Sequence, residues 1–332
     1  MSRTHVVVGA GPVGSGIARA LAARGDRVRV VTRSGSGPEG PGLTRHALDA
    51  ARGDELAAVA AGSDSIVNAL NPPYHRWADV WPGVSTGLLG AAEASGALLL
   101  HVSNLYGHGP SVRTMVEASP DLSAAGTKGA VRAAVWARSR AAHEAGRVRT
   151  VELRASDYFG PGSAGNSHLD LEVVGPVVRR RPPVALVGDP SAPHSWTFLP
   201  DLTATVLAVL DAERERGGLS GRVVHVPNSP ARSMQQVADD VAGLLGRRPP
   251  RVRVLPRPLV GALGLVVPFL RELREVEHQF RRPFVADGTA TAALLGVTAT
   301  PWSEALAADV RALGGEPVAP LPALSRPRGT AR

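Results

Sequence analysis

Cysteine is absent from the 332-residue chain, which excludes a disulfide framework and thiolate metal sites. The absence fits a reducing compartment, so the expected location is the cytoplasm. Aromatic residues are scarce at 4% while hydrophobic residues in all reach 44%, so the core must be built chiefly from Ala, Val and Leu. Each aromatic position therefore carries more information than usual. Lysine is nearly missing: among 37 Lys and Arg residues only Lys128 is a lysine. No apolar run has membrane length, since the longest, Leu259 to Leu270, contains Pro268 and falls short of the ~20 residues a span needs. The opening Met1-Ser2-Arg3 leads at once into the strand-like His5-Val6-Val7-Val8, unlike a secretory leader. A soluble protein with no membrane partner is expected, and no metal site.

The net charge is +8, but the basic residues are scattered along the chain, in clusters that are only short, such as Arg179-Arg180-Arg181 and the tail after Gly315. That is an arginine-rich background, and no nucleic-acid partner is expected from it. The partner to look for is a small-molecule substrate. A homodimer is compatible with the sequence and not required by it.

The first half alternates short aliphatic runs with Ala-rich amphipathic segments, the pattern of a doubly wound parallel sheet of Rossmann type. Strands are predicted at Val6–Val8, Val28–Thr32, Thr44–Leu48 (weakly), Ser65–Leu70, Leu98–Ser103 and Thr150–Arg154. Helices are predicted from Val13 to Arg24, after a cap at Asp54, and from Thr127 to His143. Beyond Arg154 the alternation loosens around Gly160-Pro161-Gly162, Pro182-Pro183 and Gly188-Asp189-Pro190. The expected division is a dinucleotide-binding part over residues 1–155 and a smaller α/β substrate-binding part, interleaved with the core, over 156–313. Helical periodicity returns at Ser233–Leu245 and Pro301–Leu313. Residues 314–332 are rich in Pro, Gly and Arg and are expected to be a disordered tail.

Gly9-Ala10-Gly11-Pro12-Val13-Gly14 lies directly after the first strand and opens a helix, the context a dinucleotide fingerprint requires. Gly9 permits the tight turn, Gly11 lets backbone approach a pyrophosphate, and Gly14 lets helix and strand pack closely. The bland alternative is a tight turn and nothing more. The second strand ends in Thr32-Arg33-Ser34 and offers no acid for a ribose 2′-hydroxyl, while an arginine suits a 2′-phosphate. NADP is the expected cofactor, with NAD allowed. The competing reading makes Arg33 one more surface arginine.

Several segments together resemble an extended or atypical short-chain dehydrogenase/reductase of the NAD-dependent epimerase/dehydratase family. They are the glycine turn, Asp49-Ala50, Asn68-Ala69-Leu70, the run Leu105 to Pro110, Arg154 to Gly162, and His194 to Leu202. The resemblance implies that Asp49 and Ala50 contact the adenine and that the backbone from Asn68 to Leu70 runs beneath the ribose and nicotinamide. It also implies a catalytic tyrosine four residues before a lysine, whose charge lowers the phenol pKa. Here Ala124 stands four residues before Lys128, and the shifted alignment puts Lys128 and Arg132 in the two places.

The three tyrosines nonetheless follow strands four, five and six, at Tyr74, Tyr106 and Tyr158. In open α/β sheets the ligand crevice lies outside such carboxyl ends. The expected catalytic set is Tyr106 as a relocated proton donor, Lys128 to lower its pKa or hold the nicotinamide ribose, and Asn104 to polarise a carbonyl. Tyr74, His75, Ser103 and Tyr158 are the candidate substrate contacts. The alternatives are tyrosines that merely pack at loop bases, a surface Lys128, and solvated His75 and His108. The expected function is an NAD(P)-dependent oxidoreductase or epimerase with a non-standard site, acting on a small carbonyl or hydroxyl compound. The competing function is a non-catalytic NADP(H)-binding sensor or scaffold.

Overall fold

Strand β1 (Thr4–Val8) is buried along its whole length. Val6 and Val8 join one hydrophobic cluster and Val7 the other, so both faces of the strand are covered, as a central parallel strand requires. This computed structural model describes residues 2–318 apart from 110–113, 117–118, 120–125, 164, 166 and 267. Pro110, Ala124 and the tail from 319 onward therefore lie outside the described residues.

Strands β2 (Arg27–Thr32), β3 (Leu43–Ala47), β4 (Ser65–Asn68) and β5 (Leu98–Asn104) join β1 and the strands Thr150–Ala155 and Val223–His225 in one seven-stranded sheet. From one edge the order is Val223–His225, Thr150–Ala155, β5, β4, β1, β2, β3. Every pairing is parallel. The fold is a doubly wound α/β sheet of Rossmann type. Its winding reverses at β1, between β2 and β4, which puts a crevice at the carboxyl ends of those strands. The weak signal of β3 has a cause: it is an edge strand with no fully buried residue.

Helix α1 (Pro12–Ala23) and the helix Leu199–Glu215 cover one face through Ile17, Leu21, Leu202 and Val206. The other face carries α2 (Gly53–Ala60), α3 (Trp77–Ser95) and α4 (Gly126–Glu144), with Leu56, Trp77, Trp81 and Val135 inward. Helix α3 and the strand Val223–His225 have no counterpart in the sequence reading. Pro82 and three glycines break the helical signature of α3, yet Gly87 is required: a Cβ there would stand 2.1 Å from the Ala50 carbonyl oxygen. Helix α2 begins one residue before the expected cap, with Arg52 at the N-cap and Asp54 in the first turn. The helices Met234–Leu244 and Trp302–Ala312 lie where periodicity puts them, the first closed by a Ser233–Gln236 capping box.

Beyond the sheet, Asp157–Phe159 pairs in parallel with Trp196–Phe198 and stands next to the carboxyl end of Thr150–Ala155. A helical segment, Pro268–Val276 followed by His278–Arg281, packs back toward Tyr74 and the start of α4. The first residues of the expected tail are tied down, since the Gly315 amide donates to Val310 and the Val318 amide to Leu244. No helix among the described residues is long and apolar enough to cross a membrane.

Candidate functional site

The three glycines of the first turn differ in what they face. Gly9 has φ +102°, and a Cβ on it would lie 2.8 Å from the Ala69 carbonyl oxygen. A Cβ on Gly14 would lie 2.0 Å from the Gly9 carbonyl oxygen. Gly11 has no described protein atom within 4 Å of its added Cβ. Two of the glycines are thus demanded by the protein's own packing, and the third opens onto free space. Gly11 is also the N-cap of α1, followed by Pro12, with no side-chain cap and no acidic residue in the first turn. The helix start leaves amide N–H groups and a positive dipole end for an anion.

At the end of β2, the Thr32 hydroxyl donates to the Ser36 carbonyl and the Ser34 hydroxyl to that of Ser36 (2.8 Å each), while Arg33 is exposed. Asp49 is exposed, and its carboxylate accepts from the Ala51 amide; Ala50 is buried. Asn68 is fixed by a relay. The Ser139 hydroxyl donates to Val135 and so accepts from His101 Nε2, which leaves His101 Nδ1 to accept from the Asn68 amide at 3.0 Å. Asn68 Oδ1 is thereby turned to the Leu70 amide, shaping the Asn68–Leu70 backbone. Burial, helped by the Arg132 charge, lowers the His101 pKa to about 3 and keeps the ring neutral.

The crevice floor gathers Val13, Leu70, Tyr74, Ser103, Asn104, Tyr106, Asp157, Tyr158 and Gln279. The three tyrosines do come together here. The Tyr74 and Tyr106 hydroxyls are hydrogen-bonded at 2.8 Å, and Asn104 Oδ1 accepts from the Tyr106 amide. Ser103 is buried in the same crevice, whereas His75 is exposed on the 3₁₀ turn beside Tyr74. Burial raises the pKa of all three phenols: that of Tyr74, that of Tyr106 well above its ordinary value, and that of Tyr158 to about 12. Asp157 adds to each of these shifts.

Lys128 is buried, which removes the surface reading, but its ammonium does not bond Tyr106. It donates to Glu272 at 2.7 Å and Glu275 at 2.8 Å, and lies 5.6 Å from the Tyr74 ring centre. The sequence reading missed this because the carboxylates lie about 150 positions away along the chain. One turn on, the Arg132 guanidinium stands 4.5 Å from the Trp77 ring centre and 4.4 Å from that of Trp81. Burial lowers the Arg132 pKa to about 10, against the Glu152 charge, so the group stays charged at neutral pH. His108 is also buried, with its Nε2 3.2 Å from an Arg154 guanidinium nitrogen, so it is not the solvated bystander expected. The Arg179 to Arg181 run is exposed at a helix end.

Three further residues were not put forward from the sequence: Asp157, His194 and Gln279. The His194 ring nitrogen Nε2 lies 2.8 Å from Asp157, and Gln279 is 1% exposed in the crevice wall. Asp157 had a local signal, standing beside Tyr158 at a strand end. Gln279 had none.

The family model described as NAD dependent epimerase/dehydratase family matches residues 5–224. No curated protein matches the chain. Among solved structures, UDP-glucuronic acid 4-epimerase from Bacillus cereus, in complex with NAD, superposes with a TM-score of 0.74 at 15% identity, over 94% of this chain and 98% of that one. DesIV, a dTDP-glucose 4,6-dehydratase from Streptomyces venezuelae with NAD and TYD bound, gives 0.73 at 21%, over 93% and 96%. MoeE5 in complex with UDP-glucuronic acid and NAD gives 0.74 at 19%, over 93% and 98%. At these identities the likeness speaks to the fold.

Proposed function

The chain belongs to the NAD dependent epimerase/dehydratase family, and from that premise we propose that it is a nicotinamide-dinucleotide oxidoreductase or epimerase of non-standard site, acting on a small hydroxyl or carbonyl compound. One observation carries the cofactor reading: Gly11 keeps a side chain out of space that no described protein atom occupies, in front of an uncapped helix start. The pyrophosphate would lie over Gly9, Gly11, Pro12, Val13 and Gly14. Thr32, Arg33 and Ser34 would receive the adenosine ribose and its 2′-phosphate, so NADP is preferred to NAD. Asp49 and Ala50 would flank the adenine, and the Asn68-Ala69-Leu70 backbone would run under the nicotinamide half. The NAD found in the epimerase and DesIV structures supports a dinucleotide in this crevice.

When bound, the nicotinamide supplies the acceptor or donor of hydride. The chain's own residues do the rest at the substrate oxygen, which would meet Ser103, Asn104, Tyr106 and Tyr158 at the crevice floor. In place of a tyrosine–lysine pair, the helix carries Lys128 and Arg132 one turn apart. The part of the chain beyond residue 155 contributes Asp157, Tyr158 and Gln279 to the same crevice.

A second reading, a cofactor-binding sensor or scaffold without catalysis, draws on one observation. Lys128 is held by two carboxylates and the phenol pKa values are raised, so the expected tyrosine chemistry is not poised at neutral pH. Fluorescence titration with NADPH and NADH, followed by a screen of alcohols, ketones and sugar nucleotides for change at the nicotinamide absorbance, separates the two. Turnover supports the enzyme. Binding with no turnover across the screen supports the sensor, and no binding of either cofactor overturns both.

A further inference from the structure

His194, buried to 2% exposure, sits between two aromatic rings, with Phe280 at 5.0 Å and 5° and Phe284 at 5.1 Å and 20° between planes. Its Nδ1 faces the main-chain oxygen of Gln279 at 3.2 Å, and its Nε2 faces Asp157 Oδ2 at 2.8 Å. A carbonyl oxygen only accepts, so Nδ1 carries a hydrogen. An ionised carboxylate also only accepts, so a second hydrogen lies between Nε2 and Oδ2. The pair thus holds one proton more than a neutral imidazole beside a carboxylate. The Ser156 hydroxyl is farther from Nε2, at 3.4 Å, and the 2.8 Å contact with Asp157 requires the hydrogen whichever way that hydroxyl turns.

Asp157 and Gln279 also line the crevice. The Gln279 side-chain amide is buried, and neither its nitrogen nor its oxygen has a hydrogen-bond partner among the described residues. A buried amide with both functions unmet is costly unless a bound group satisfies it. Donor and acceptor together match an alcohol oxygen, which can both accept and donate.

We propose that Asp157 is the catalytic proton carrier of this crevice, with His194 holding it in its charged form and Gln279 holding the substrate's hydroxyl or carbonyl oxygen beside it. The proposal rests on the oxidoreductase reading above and names the substrate class as a secondary alcohol or its ketone. In the oxidation direction the O–H bond breaks and its proton passes to the Asp157 carboxylate. The adjacent C–H bond breaks with its electron pair, which leaves as hydride to an oxidised nicotinamide, and the C=O bond forms. The reverse direction returns the proton from Asp157.

Burial alone would raise the Asp157 carboxyl, but the hydrogen bond and charge of His194 outweigh it and hold the group below its ordinary value. The other titratable groups facing Asp157 are Tyr74, Tyr106 and the neighbouring Tyr158, and His168, which hydrogen-bonds Glu172. All three phenols have raised values. Among the carboxyl and the three phenols, Asp157 is therefore the group that can take up a proton without first losing one, while the His168 ring is engaged by Glu172.

The test is nitrogen-15 NMR of the histidine rings in the full chain, with His194 assigned by its loss in His194→Gln. Both His194 nitrogens are expected to show protonated shifts in the wild type. In Asp157→Asn, which keeps the shape, one nitrogen is expected to become unprotonated. A wild-type His194 with one bare nitrogen overturns the proposal without touching cofactor binding. The second reading is turnover, with UDP-glucose and glucose as hydroxyl probes, each with NAD and NADP. Asp157→Asn is expected to lower kcat about a hundredfold, with KM and cofactor Kd within about twofold. His194→Gln is expected to move the acid limb of the pH–rate profile upward, since Asp157 loses the charge that keeps it ionised. Unchanged kcat in Asp157→Asn overturns the catalytic role. Cofactor binding without oxidation of either probe overturns it too, and leaves a protonated His194 as a structural ion pair.

Discussion

Glu275 holds Lys128 twice, accepting from its backbone amide at 2.6 Å and from its ammonium at 2.8 Å, so it ties the helix Pro268–Val276 to both main chain and side chain in the first turn of α4. Glu272 adds a third bond to the same ammonium. Lys128→Met is expected to destabilise the protein by about 3 kcal/mol, because two largely buried carboxylates lose their cation. The triple variant with Glu272→Gln and Glu275→Gln should recover part of that loss, since the carboxylates no longer repel each other. Urea unfolding of the three proteins checks this, and equal losses in both variants would show that the ammonium's charge is not what matters.

The glycine turn allows a separation of fold from binding. Gly11→Ala should keep wild-type stability, because no described atom lies within 4 Å of the new Cβ, yet weaken both NADH and NADPH by tenfold or more. Gly14→Ala puts a Cβ 2.0 Å from the Gly9 oxygen and should cost ~3 kcal/mol or more. Melting curves and cofactor titrations on the two variants read the contrast. Unaltered cofactor affinity in Gly11→Ala would mean that the phosphates lie elsewhere.

Arg33 is exposed at the end of β2, free to reach a 2′-phosphate with a charge-assisted bond worth roughly 1.5 to 3 kcal/mol. Arg33→Ala should weaken NADPH by tenfold or more and leave NADH nearly as before. Equal dissociation constants for the two cofactors in the wild type would remove the preference altogether.

Asp309, fully buried on the helix Trp302–Ala312, lies beside Asp170, which also accepts a hydrogen bond from Ser163. Burial and the Asp170 charge push the Asp309 carboxyl up to about 9. Its unfolded value is ~3.9, so the native protein binds the extra proton over the interval between. The stability it contributes is therefore fully present below pH ~4 and is lost as pH rises through about 9. Wild-type urea midpoints should fall between pH 6 and pH 9, and Asp309→Asn, which can donate to Asp170 without titrating, should fall less. Parallel midpoints in the two proteins would rule out a protonated Asp309.

The sequence by itself determined the strand–turn–helix at Gly9 to Gly14, the positions of six of the sheet's seven strands and the position of three tyrosines beyond strand ends. These are local matters: apolar runs flanked by glycine fix strands, and a tyrosine a few residues beyond a strand emerges near the sheet's carboxyl edge. The sequence did not determine α3, because Pro82 and its glycines lower the local helical signal, and only packing against Ala50 and the sheet makes those residues helical.

What each charged side chain faces was decided by tertiary structure alone. Lys128 stands in the helix where the family's lysine chemistry would be sought, but its ammonium bonds Glu272 and Glu275, about 150 residues on, rather than Tyr106. His194, Asp157 and Gln279 are likewise ordinary polar residues in sequence. They become a proton-holding group only when the segments around 157, 194 and 279 are brought within hydrogen-bond reach and screened from water. Propensity and periodicity act over a few residues, whereas electrostatic interaction depends on distance in space and on local burial. The fold was therefore legible in the sequence, and the pairing of charges within the crevice was not.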